Sequence, residues 1–136
     1  MSVKYDCVYL TSSLMGVVAK RLRDFGYKGK IITLFHNVEE EYFRSILSAK
    51  RLDRDIKIRS ARQNDYLSCI CSDTIITLNE RHSSVLQKKY NYRDLNVKEK
   101  ENKIYAEKIF TFIFYQNLPK VLVISSPYGQ GYCFSF

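Results

Sequence analysis

The chain has 136 residues, a formal net charge of +8, 46 % hydrophobic and 26 % charged residues, and an aromatic complement of eleven Tyr and eight Phe. That length is one domain with a core of its own, and the apolar content excludes a disordered polyelectrolyte. No apolar run approaches the roughly 20 residues of a membrane-spanning helix, and residues 1–10 carry no charged-then-apolar leader, so a cytoplasmic protein is expected.

Residues 5–10, "YDCVYL", form a short β-prone run, followed at once by Thr11, Ser12 and Ser13, residue types that cap helices. Leu14, Val17, Val18, Leu22 and Phe25 recur at helical spacing against a face of Lys20, Arg21, Arg23 and Asp24, which predicts a helix over 14–25. Gly26 then sits where a left-handed C-cap belongs. After Lys30, "IITLF" reads as a second strand, its unbroken apolar character suiting coverage on both faces.

Asn37 is the expected cap of the next helix, with Glu40 completing a capping box. Glu39, Glu40 and Glu41 fall in its first turn, where the helix dipole favours each by about 0.3–1 kcal/mol. A helix over 60–71 is predicted from the stripe Tyr66, Leu67, Ile70 and Cys71. "DTIITLN" then repeats the earlier pattern: a strand over 74–78, a cap at Asn79 and the charged helix "ERHSSVLQKKY".

Three strand-to-helix units in succession predict an α/β fold, a Rossmann-like parallel sheet with helices on both faces, as a single domain over 1–136. Residues 96–108, of mixed charge, read as an exposed helix or linker, and "IFTFIFY" and "KVLVISS" as strands. The tail "PYGQGYCFSF" holds Gly129 and Gly131 with too few residues after them for a phosphate-cradling loop and its helix. Cys7, Cys69, Cys71 and Cys133 make no CxxC pair, so reduced thiols are expected rather than disulfides or zinc ligands.

The charge is uneven. Residues 44–62 hold seven basic side chains, among them Lys50, Arg51, Arg54, Lys57, Arg59 and Arg62, against Asp53 and Asp55. Such a stretch is either a solvated helix face or a patch for polyanions: nucleic acid, anionic lipid headgroups or phosphorylated substrates.

Ligands of open parallel sheets collect beyond the carboxyl ends of the strands, where helix N-termini present unpaired N–H groups. Three such ends can be named: Thr11-Ser12-Ser13, His36-Asn37 and Asn79-Glu80-Arg81. Ser12, Ser13 and Asn79 also read simply as caps. His36 differs, because a cap needs no histidine before it, and an imidazole there can bond into a cleft or carry a proton near neutral pH. His36 and Glu39 do not match a His-Glu-x-x-His zinc pattern, so no metal is expected, and no Walker loop, nucleophile elbow or complete dinucleotide fingerprint occurs.

The segment "YDCVYLTSSLMGVVAKRLRDFGYKGKIITLFHNVEEEYF", followed by "CSDTIITLNERHSSVLQKKY", resembles the amino-terminal domain of family-4 retaining glycosyltransferases, especially bacterial enzymes of surface-polysaccharide synthesis. The resemblance covers 1–92, with 93–136 an atypical tail or the start of a second domain. Its most specific part is the strand ending in His-Asn-x-Glu coupled to the Ser-Asp-x-Ile-Ile-x-Leu-Asn-Glu-Arg segment.

The resemblance implies one half of a GT-B architecture, the half that receives a glycan or lipid-linked acceptor while a carboxy-terminal domain holds the nucleotide-sugar donor. It implies for His36 a role in orienting the donor sugar or stabilising the transition state, and for Ser12, Ser13, Asn37, Glu39, Asn79, Glu80 and Arg81 a place in substrate binding. The nucleotide sugar is a substrate, and no cofactor is expected. The resemblance also implies an anionic membrane surface as a partner of the basic stretch, which would make the protein peripheral on the inner membrane face.

The family's opening strand, of the "KVLVISS" type, is not found before residue 5, nor are the paired donor-binding glutamates found after residue 92. Residues 110–126 read either as the linker and first strand of a second domain or, in "KVLVISSPYGQG", as the missing first strand in permuted order. A fragment unable to transfer sugar alone is therefore expected, working with a carboxy-terminal domain partner. Two readings stand beside this one: a small basic protein binding nucleic acid or anionic surfaces, although its tyrosines follow no RNA-binding motif, and a subunit or homo-oligomer whose apolar strands at 110–126 pair with a partner.

Overall fold

A computed structural model describes residues 4–91, 95–96 and 121–124. The β-branched runs become strands β1 (Cys7–Leu10), β2 (Lys30–Phe35) and β3 (Thr74–Thr77), joined by the short β4 (Leu95–Asn96) and by β5 (Val121–Ile124). They form one five-stranded sheet in the order β4-β3-β2-β1-β5, with every pairing parallel. This is the α/β parallel-sheet class expected from the alternation of strands and helices.

Cys7 pairs with Val121 and Leu10 with Ile124, so the core of "KVLVISS" lies beside β1. Asn96, expected to open an exposed helix or linker, instead ends β4 opposite Thr77. The expected strand at "IFTFIFY", the remainder of the charged segment, the glycine-containing tail and Cys133 lie outside the described residues.

A 3-10 turn (Ser13–Met15) leads into α1 (Gly16–Asp24); α2 (Glu39–Ile46), α3 (Arg54–Cys71) and α4 (Glu80–Tyr90) follow. The crossovers from β1 to β4 all step the same way across the sheet, and right-handed crossovers of that kind put their helices on one face. The packing agrees. Val8, Leu10 and Ile31 meet Met15 and Ala19, with Leu22 and Cys71 against them, while Phe35 and Ile75 meet Cys69 and Leu86. Cys7, Tyr9, Ile32, Leu34 and Ile76 are buried on the other face, as the unbroken apolar strands require. The described helices occupy the first of these faces.

α3 begins at Arg54, earlier than expected, and the stripe it buries only partly matches the expected one. Of the expected stripe, Leu67 is buried and Cys71 packs against the core, whereas Tyr66 and Ile70 are exposed; Ile58, Ala61, Asp65, Ser68 and Cys69 also turn inward. Asp65 and Ser68 are polar, which is why an apolar pattern found only part of the inward face. They are bonded inside: Ser68 Oγ donates to the Ser13 carbonyl at 2.8 Å, and Asp65 Oδ2 accepts from the Glu40 N–H at 3.0 Å.

Two glycines are required. Gly26 ends α1 at φ +80, the left-handed cap read from the sequence. Gly16 lies against α3, where a Cβ would come 2.1 Å from the Asn64 carbonyl oxygen. The amino end of the sheet is closed by Arg23, which donates to the carbonyls of Cys71, Tyr27 and Gly29 and pairs with Asp73 at 2.6 Å. Asp73 in turn accepts from the Ile31 N–H at 2.7 Å. Cys7, Cys69 and Cys71 are free thiols, and burial pushes the Cys7 thiol up to about 11, out of reach of ordinary thiolate chemistry. No helix among the described residues is long and apolar enough to cross a membrane.

Candidate functional site

Beyond the carboxyl ends of β1, β2 and β3 lie Thr11, His36 and Asn79 with the helix starts that follow them. At the end of β1, Thr11 continues the ladder by donating its N–H to the Ile124 carbonyl at 3.1 Å. His36 follows β2 and is exposed. Loss of hydration around its ring pulls its pKa below the ordinary 6.5, against a smaller opposing effect from a hydrogen bond with the Thr11 backbone. An imidazole at this position can donate to or accept from a hydroxyl.

One turn further on, the starts of α2 and α4 enclose a half-open pocket of about 160 Å³. Asn37, Val38, Glu41, Tyr42 and Ser45 form one wall, spaced as one face of a helix, and Arg81 and His82 the other. Arg81 Nη2 and Glu41 Oε2 pair across it at 3.2 Å. His82 Nδ1 lies 3.4 Å from the Asn79 amide nitrogen, which leaves Nε2 to carry the proton, and burial followed by the Arg81 charge lowers its pKa. An aromatic ring, an imidazole, an amide and a carboxylate–guanidinium pair make a lining suited to a hydroxylated ligand of modest charge.

Of the sequence-predicted residues, Asn37 and Arg81 meet in this pocket, and His36 lies beside it without lining it. Asn79 is the N-cap of α4, its Oδ1 accepting the His82 N–H at 2.9 Å, and Glu80 is exposed in the first turn of that helix. Ser12 and Ser13 are buried: Ser12 Oγ accepts from the Leu14 N–H at 3.2 Å, and Ser13 sits beside Asp65 beneath the sheet end. Glu39 is buried as well, and burial followed by the nearby Asp65 raises its carboxyl to about 7.

The capping box is not formed. The N-cap position of α2 is Val38, which makes no side-chain cap bond, and the Glu40 carboxylate turns to Arg44, Arg62 and Lys89. These cations hold it down to about 2 in spite of its burial. The helix dipole therefore accounts for less of the acidic cluster than its place in the first turn suggests. Val38, Glu41, Tyr42, Ser45 and His82 were missed as pocket residues, although the spacing of 38, 41, 42 and 45 was a readable signal.

In the basic stretch, Arg51 and Lys57 both pair with Asp53, Arg54 with Asp55 at 3.6 Å, and Arg62 with Glu40. Lys50 and Arg59 are exposed, and so are Ile46, Leu52 and Ile56 among them. Among the described residues no three His, Cys, Asp or Glu side chains come together as a metal site.

No family profile, curated protein or solved structure matches the chain.

Proposed function

We propose that the chain is the acceptor-side domain of a glycosyltransferase that moves a sugar from a nucleotide-sugar donor to a glycan or lipid-linked acceptor. The observation that carries this reading is the placement, at the carboxyl end of a parallel sheet, of His36 beside a pocket between α2 and α4 lined by Asn37, Glu41, Tyr42, Arg81 and His82. His36 orients the donor sugar or stabilises the transition state, and Asn37, Arg81 and the Tyr42 ring hold the acceptor. Transfer then depends on a donor-binding domain, in the same or a second polypeptide.

Amide chemical shifts during titration with oligosaccharide acceptors and nucleotide sugars test this, with and without a carboxy-terminal partner domain. Saturable shifts at His36, Asn37 and Arg81 are expected. Their absence with every sugar and with the partner present would sink the site.

A second reading is favoured by one observation, the exposure of Ile46, Leu52 and Ile56 among Lys50, Arg51 and Arg59. Aliphatic side chains gain nothing from a phosphodiester backbone but gain from burial at a lipid interface, where neighbouring cations meet anionic headgroups. An anionic membrane is thus a better partner for this face than nucleic acid, and the protein would act at the inner membrane surface. Cosedimentation with phosphatidylglycerol vesicles should fall sharply in Leu52→Asp. Binding to RNA with a steep salt slope and no response to that substitution would favour nucleic acid instead.

A further inference from the structure

Glu40 is nearly fully buried, yet three helices direct cations at it. Arg44, from α2, reaches Oε1 through Nε at 3.3 Å and Nη2 at 3.1 Å. Arg62, from α3, reaches the same oxygen through Nε at 3.0 Å and Nη2 at 2.7 Å. Lys89, from α4, bonds Oε2. One cation would neutralise this carboxylate; three leave an excess of two positive charges on a single spot.

The excess faces water. The Arg44 and Arg62 side chains are about half exposed and Lys89 about a third. Both guanidiniums spend their Nε–Nη2 edge on Glu40. Asp65, whose carboxyl senses both Glu40 and Lys89, lies fully buried beneath, and even when ionised it leaves the group net positive. At the edge of the group, the Lys89 ammonium lies 5.6 Å from the centre of the Tyr90 ring, and the buried Tyr90 hydroxyl has no hydrogen-bond partner among the described residues.

We infer that Arg44, Arg62 and Lys89 form a cradle for a phosphate group carrying two negative charges, with Glu40 as the positioning residue that holds the guanidiniums side by side. The remaining N–H groups of two guanidiniums, with the further hydrogens of the Lys89 ammonium, are left to meet the oxygens of a phosphate, whose charge balances the excess. Glu40 keeps the three cations together while the cradle is empty, which a cluster of like charges would not do unaided. The cradle involves neither His36 nor the pocket between α2 and α4, so it stands or falls independently of the transferase reading.

The test is a titration of the full chain with inorganic pyrophosphate at ionic strength fixed by NaCl, following the Nε resonances of Arg44 and Arg62. A second arm uses phosphatidylcholine vesicles with and without phosphatidic acid. Saturable shifts at both arginines are expected, weakened about tenfold or more in Arg62→Gln and in Arg44→Gln, and unchanged in Lys28→Gln, which lies before β2 at the opposite end of the sheet. Glu40→Gln, if it folds, should bind at least as tightly as the parent, because a competing anion is gone; weaker binding by a folded Glu40→Gln would overturn the cradle. Shifts with pyrophosphate assign a soluble phosphate compound, and shifts with phosphatidic acid alone assign a lipid headgroup. No saturable shift in either arm, or an equal loss in Lys28→Gln, overturns the proposal.

Discussion

The β2-to-α2 and β3-to-α4 junctions are written in nearly the same residues, a β-branched strand, an asparagine and a glutamate-led helix, and they are capped in opposite ways. At β3 the cap is local, Asn79 accepting the His82 N–H. At β2 the asparagine lines a pocket instead, and the α2 N–H at Glu40 is satisfied by Asp65 from the middle of α3. A local cap depends on a few neighbouring torsions. A cap delivered by another helix requires a buried carboxyl and ties the two helices together.

The largest expected effect of that difference is on the pH dependence of stability. Glu39 and Asp65 titrate near 7 and 6 in the folded chain, against ordinary values of 4.5 and 3.8. The folded form holds protons that the unfolded form has released, so stability falls as pH rises between about 4 and 7, by on the order of 3 kcal/mol for a two-unit shift. Glu40 acts in the other direction: its contribution is present above 4.5 and is lost as pH falls toward 2. Urea denaturation across pH 3 to 8 should therefore show a maximum near pH 5, and Asp65→Asn should flatten the descent above it.

Removing the distant cap is the next largest effect. At pH 5, where Asp65 is protonated, Asp65→Ala strands the Glu40 N–H and should cost about 2 kcal/mol by urea denaturation. Asp65→Asn keeps an acceptor and should lose markedly less. Asn79→Ala removes only the local cap and should cost about 1 kcal/mol in the same measurement. Asn37→Ala comes last, with a change within about 0.5 kcal/mol, since its side chain caps nothing. If Asn37→Ala costs as much as Asn79→Ala, the contrast between the two junctions fails.

The elements readable in the sequence were those decided by near neighbours. β1, β2, β3 and the core of β5 announced themselves through β-branched runs, Gly26 through its place after an amphipathic helix, and Asn79 through its place before one. The inward face of α3 was only partly legible, because Asp65 and Ser68 look like solvent residues until their partners on α2 and on the turn after β1 are known. The same holds for Glu40, which reads as a capping residue although two of its three cations, Arg62 and Lys89, come from α3 and α4. At the candidate site, His36 was legible by position, and the pocket beside it was legible only in part, since its second wall arrives with α4.

The place of β5 also bears on how the protein is made. Cys7–Leu10 pairs with Val121–Ile124, so on a ribosome one edge of β1 emerges early and its partner on that side follows only after more than a hundred further residues. Until then a fully apolar strand offers unpaired N–H and C=O groups to any other extended chain. Contacts of such sequence separation slow folding, and a nascent chain halted before residue 121 would expose that edge, making it a natural ligand for a chaperone.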